Sequence, residues 1–209
     1  MLNRTFANMR AEDYKTDNIV DILCQILLQK FPKRTFIIVA HSMGTHLAIK
    51  LVNKLPSNMV ESLCLISPPK LSPTVGQPPN IPWITKSFLT LSSYCPRLFD
   101  FYRMIDRLGG LYSHSVNSYI YPTEKDVFKR LTQLRWNLDT NSTVFLNYAR
   151  AFRPVSVTEL LSAASRLCHS TNQEKPRILI CCGDSDKVTP LKFSKAMAET
   201  LRESRFAVK

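Results

Sequence analysis

Apolar positions recur at helical spacing across residues 17–31, where Ile19, Val20, Ile22, Leu23, Ile26 and Leu27 line up between a capping Thr16 or Asp17 and a terminating Pro32. After a short turn at Lys33 to Thr35, the run Phe36 to Ala40 is apolar at every position. That pattern predicts a strand buried on both faces, as in a parallel sheet covered by helices. From Gly44 to Leu55 the helical period returns, with Leu47, Leu51 and Leu55 on one stripe, and Pro56 ends it. Ser62 to Ser67 reads as a second buried strand. Residues 36–67 thus predict a strand, helix, strand unit with a right-handed crossover. Arg177 to Cys182 predicts a third strand, followed by a helix from about Pro190 to Leu201, and Phe206 to Val208 starts like another strand.

The stretch between the second and third strands has a different texture. Seven prolines fall between Pro68 and Pro96, which interrupts regular structure and marks a departure from the sheet. Residues 83–152 then read as helical and aromatic, carrying Trp83, Phe88, Phe99, Tyr102, Trp136 and Phe145 among others. The chain is therefore expected to be α/β, with three parallel strands, flanking helices and a helical insertion. Its parts are expected at 1–69 and 171–209 for the sheet and 70–170 for the insertion.

Composition and charge narrow the classes. At 209 residues and 44% hydrophobic, the chain is long enough to bury a core, and no apolar run approaches a membrane span. The net charge of +12 would suit a nucleic-acid binder if it were clustered. The basic-to-acidic counts are instead 8 to 5 over 1–69, 11 to 6 over 70–160 and 9 to 5 over 161–209. So even an excess predicts no nucleic-acid partner and leaves contact with an anionic membrane surface open. The six cysteines show no C-x-x-C spacing, and Cys24, Cys64, Cys181 and Cys182 lie in apolar segments as buried thiols do. A reducing, cytoplasmic location is expected, and no metal or cofactor is implied.

The segment Ala40, His41, Ser42, Met43, Gly44 joins a strand directly to a helix. A turn that sharp brings strand and helix backbones together, which asks for small residues at Ala40 and Gly44. It also lifts the Ser42 hydroxyl to a helix N-terminus, where the Met43 N–H and the helix dipole can stabilise an oxyanion. This segment resembles the nucleophile elbow of the α/β-hydrolase fold family, usually G-x-S-x-G with Ala as a variant at the first position. A second motif agrees. Gly183 to Pro190 resembles the family's acid loop and implies Asp186 as the triad acid, with Asp184 as a rival. The 70–160 region resembles the helical cap inserted after the family's sixth strand, and the segment from Tyr14 resembles its helix before the elbow.

The resemblance implies a triad in the order serine, acid, histidine, and no histidine follows Asp186. The four present are His41, His46, His114 and His169, and each is expected to be structural or at the surface. By comparison with the family, the chain is expected to begin near the helix before the fifth strand and to stop short of the base. No early loop supplies a second oxyanion donor. The expected activity is hydrolysis of carboxylic or lipid acyl esters in the complete protein, with Ser42 as nucleophile and this polypeptide alone nearly inactive. The alternative is a non-catalytic fragment of the fold acting as an interaction module. Substrate identity and oligomeric state stay open.

Overall fold

The computed structural model describes residues 11–76, 83–121, 123–169, 177–204 and 206. In chain order the elements are α1 (Thr16–Lys30), β1 (Phe36–His41), α2 (Gly44–Lys54) and β2 (Val60–Ile66). Five helices follow: α3 (Trp83–Tyr94), α4 (Pro96–Arg107), α5 (His114–Tyr119), α6 (Val127–Asp139) and α7 (Ser142–Ala151). The chain then runs through α8 (Val157–His169), β3 (Ile178–Cys181) and α9 (Leu191–Glu203). Phe206 is described but Ala207 and Val208 are not, so the strand expected there lies outside the described residues. The elements divide into a sheet unit, Lys15–Pro79 with Arg153–Lys209, and a helical unit, Asn80–Phe152 with Met1–Tyr14.

In the sheet unit the three strands are parallel in the order β1, β2, β3. Ala40 pairs with Leu65 and His41 with Ile66, and Ile66 pairs in turn with Cys181, so all three strands end in one row. One face of this sheet is covered. α2 packs on β1 and β2, α1 and α8 flank α2, and α9 lies on β3. Leu63, Leu65 and Ile178 are buried there among Ile49, Val52, Leu160, Leu167, Met197 and Leu201.

The other face differs from the sequence expectation. Burial alternates along β1, leaving Ile37 65% and Val39 62% exposed, with Leu179 of β3 also exposed. Strands this apolar call for cover on both sides, and among the described residues of the sheet unit the helices lie on one side only. Cys64 and Cys181 face this uncovered side of the sheet. Cys181 is exposed and Cys24, Cys64 and Cys182 are half-buried, where buried thiols were expected, and all six are free.

A buried lysine ties three helices together. Lys50 Nζ on α2 donates to Asp17 of α1 at 2.9 Å and to Glu159 of α8 at 2.7 Å. Burial works against the ammonium, but the hydrogen bonds and charges of Glu159 and Asp17 outweigh it and raise the lysine pKa. The helix α8, expected within the insertion, packs on α2 and β2 and groups with the sheet unit. The outgoing and returning chains meet where Ser72 N–H donates to the Val155 carbonyl at 2.8 Å.

The helical unit is held by aromatic stacking and two arginines. Phe99 stacks on Phe145 at 5.5 Å and contacts Phe88 and Tyr102, joining α3, α4 and α7. Arg103 donates to the carbonyls of Asn137 and Thr140 and to the Ser142 hydroxyl, closing the C-terminal end of α6. Arg130 is buried and donates to the carbonyls of Leu111, Tyr121 and Glu124 while lying 4.7 Å over the Tyr112 ring.

Candidate active site

The site begins where β1 stops. Ser42 follows His41 with φ of 52°, a left-handed conformation that costs a residue with a side chain roughly 1–2 kcal/mol. The turn is braced from two directions. Ser42 N–H donates to the Ile66 carbonyl of β2 at 2.9 Å, and the Ser42 carbonyl accepts from both the Thr45 N–H at 2.9 Å and the Thr45 hydroxyl at 2.6 Å. Met43 caps α2 in helical conformation, so its N–H lies at the helix N-terminus, where amides lack intrahelical acceptors. A strained serine held at a strand end, beside a helix N-terminus, can present a hydroxyl and stabilise negative charge next to it.

Asp186 lies in the loop after β3 and is fixed on both carboxylate oxygens. Oδ1 accepts from the Val188 N–H at 2.8 Å and the Thr189 N–H at 2.9 Å, and Oδ2 accepts from the Thr189 hydroxyl at 2.7 Å. Burial alone would raise its pKa. The hydrogen bonds from Thr189, from the Ser67 side chain and from the Val188 amide prevail, lowering it from 3.8 to about 2. The group is therefore ionised at neutral pH with its orientation set. Asp184, the rival acid, is exposed two residues earlier.

Ser67 connects these two places and was not singled out from the sequence. It follows β2 with φ of 48°, is buried, and donates its N–H to the Cys181 carbonyl at 2.7 Å, while its side chain helps lower the Asp186 pKa. Ser67 precedes Pro68, a place where extended backbone is ordinary, so no local signal announced the left-handed turn. Backbone hydrogen bonds from Ser42 to Ile66 and from Ser67 to Cys181 thus tie together the three strand ends that carry Ser42 and precede Asp186.

The steric reason expected at Gly44 is not present. A Cβ placed there would have nothing within 4 Å, and the glycine does not have positive φ. Ala40, by contrast, packs against the core as a small residue under α2.

His41 is exposed at the end of β1, and His114 is exposed at the start of α5. His46 is fully buried, and its Nδ1 accepts the Val155 N–H at 2.9 Å. Burial is the main cause that pushes its pKa down from 6.5 to about 4, with Lys50 adding to the fall and Glu159 opposing it. Among the described residues no group of three His, Cys, Asp or Glu is placed to hold a metal ion.

Parallel strands ending in a row, a strained serine entering a helix and a fixed carboxylate after β3 define an α/β-hydrolase fold. Solved structures of that fold match the chain. A bromoperoxidase from Bacillus anthracis superposes with a TM-score of 0.60 at 18% identity, covering 92% of this chain and 65% of its own. The esterase EaEST from Exiguobacterium antarcticum gives 0.58 at 17% identity, covering 95% of this chain and 66% of its own. A hydrolase from Oleispira antarctica gives 0.59 at 13% identity, covering 97% and 66%. The chain thus spans slightly less than two thirds of the length of these relatives. No curated protein matches the sequence. The chain belongs to the hydrolase family described as serine aminopeptidase, S33, whose pattern matches residues 8–209.

Proposed function

We propose that this chain carries the nucleophile and the acid of a serine hydrolase acting on carboxylic or lipid acyl esters. The observation that carries the reading is Ser42 itself, held at φ of 52° where β1 enters α2. In the reaction, Ser42 Oγ attacks the acyl carbon and gives its proton to a histidine supplied from outside residues 1–209. The Met43 N–H donates to the oxyanion, and Asp186 orients the histidine and stabilises its charged form. Asp186 suits that task because its local hydrogen bonds hold it ionised.

Alone, the chain is expected to be nearly inactive. Without a base Ser42 is a weak nucleophile, and one missing oxyanion donor costs about 2.7–4 kcal/mol in the transition state. The test is acylation rather than turnover. The 209-residue chain is incubated with p-nitrophenyl esters of increasing acyl length in the presence of imidazole, and peptide mass spectrometry reads the adduct. The expected result is an acyl group on Ser42 that forms fastest with longer acyl chains. Adducts spread over lysines, equal in Ser42→Ala, would overturn the proposal.

A second reading is favoured by the uncovered sheet face at Ile37, Val39 and Leu179. It makes the chain an interaction module in which Ser42 and Asp186 are inherited geometry. Absence of any Ser42 adduct would favour it.

A further inference from the structure

The amphipathicity of α4 is inverted relative to what its own packing uses. Its inner side contributes Phe99, Tyr102 and Arg103 to the contacts within the helical unit. Its outer side carries a second apolar stripe at Phe101, Met104, Ile105 and Leu108, exposed by 56, 51, 50 and 84%. That spacing of i, i+3, i+4 and i+7 puts all four on one face over two turns.

The charges around the stripe are sorted. Asp100 accepts the Ser142 hydroxyl and Asp106 accepts the Ser115 N–H, so both carboxylates of α4 are engaged within the unit. Arg97 and Arg107 are exposed at the two ends of the helix. Residues 83–152 carry 9 basic and 5 acidic side chains, and Trp83, Tyr94, Tyr112 and Trp136 are also exposed. An apolar stripe with flanking arginines is the combination that seats a helix in the headgroup layer of a bilayer.

We propose that α4 docks the protein on anionic lipid surfaces, with Phe101, Met104, Ile105 and Leu108 entering the interface and Arg97 and Arg107 on the headgroups. The charge decides between this surface and a second copy of the chain. A symmetric pairing through the stripe would bring the arginines of two copies together, whereas anionic headgroups neutralise them. The surface stands independently of the ester-hydrolysing role of Ser42.

The test is co-sedimentation of the full chain with vesicles, in the absence of any ester. Phosphatidylcholine vesicles are compared with vesicles containing about 30 mol per cent phosphatidylserine. The expected result is binding to the anionic vesicles, weakened at roughly 0.5 M salt and reduced at least about tenfold in Ile105→Asp/Leu108→Asp. Both substitutions fall on exposed positions, and circular dichroism confirms the fold. Arg97→Ala/Arg107→Ala, which leaves the stripe intact, is expected to lose the preference for anionic over zwitterionic vesicles. The proposal is overturned by no vesicle binding, by equal binding of the aspartate variant, or by a stripe that controls dimerisation instead. Because no ester is present, failure here leaves the chemistry of Ser42 to its own test.

Discussion

Ser42 and Ser67 leave adjacent strands in the same left-handed conformation, at φ of 52° and 48°, one residue beyond the paired His41 and Ile66. The two strained turns stand side by side, one at the candidate nucleophile and one that helps keep the candidate acid ionised. Glycine adopts this conformation without the steric cost, though it loses more entropy on folding. Ser42→Gly is therefore expected to stabilise the fold by up to about 1 kcal/mol, read as a rise in the urea midpoint. Ser67→Gly relieves similar strain but removes a side chain that helps keep the Asp186 carboxylate ionised, so its net effect is expected near zero. A clear loss of stability in Ser42→Gly would show that the serine turn is not strained.

Gly44 supplies a related test. With open space around a Cβ and ordinary helical φ, Gly44→Ala is expected to stabilise α2 by about 0.5–1 kcal/mol. Thermal denaturation measures this directly. A destabilised alanine variant would mean that something else packs at position 44.

Acid sensitivity is expected to begin with His46. Its folded pKa of about 4 lies below the unfolded 6.5, so the unfolded chain binds the proton first. The stabilisation is present above pH 6.5 and is lost as pH falls to about 4, amounting to about 3 kcal/mol across the window. Protonation would also set a positive ring against the Val155 N–H that Nδ1 now accepts. Asp186 acts lower, its contribution being present above pH 3.8 and lost toward about 2. Denaturation midpoints between pH 7 and 4 should fall in the wild type and flatten in His46→Gln. Parallel curves would remove His46 as the cause.

The Lys50 bridge makes a different demand. Lys50→Met leaves Glu159, whose side chain is 19% exposed, without its cation and is expected to cost about 2–3 kcal/mol. Glu159 keeps its hydrogen bonds from the Ser156 N–H and hydroxyl, which limits the loss. The double variant Lys50→Met/Glu159→Gln should recover part of it, since an unpaired charge no longer remains. If the double variant is less stable than the single one, the ion pair is a net contributor in its own right.

Much of the arrangement was legible in the pattern of residues. β1, α2, β2, β3 and α9 stand within a few residues of where apolar runs, helical stripes and prolines put them, because each of those signals reflects one local cause. Ser42 was legible through its place between strand and helix. Ser67 was not, because its role depends on the neighbouring loop of Asp186, more than a hundred residues away in sequence. The uncovered side of β1 was also hidden, since an all-apolar strand states what it needs on each face and not what is there. The place of α8 beside α2 rests on Glu159 reaching Lys50, a contact no periodicity reports.

The most direct test of the central claim is the rate at which a fluorophosphonate reagent labels Ser42, with and without imidazole as a substitute base. Slow labelling of the chain alone is expected, with acceleration by neutral imidazole, a single modified site at Ser42 and none in Ser42→Ala. An acceleration that maps to other residues, or a Ser42 that stays unlabelled with the base supplied, would contradict it.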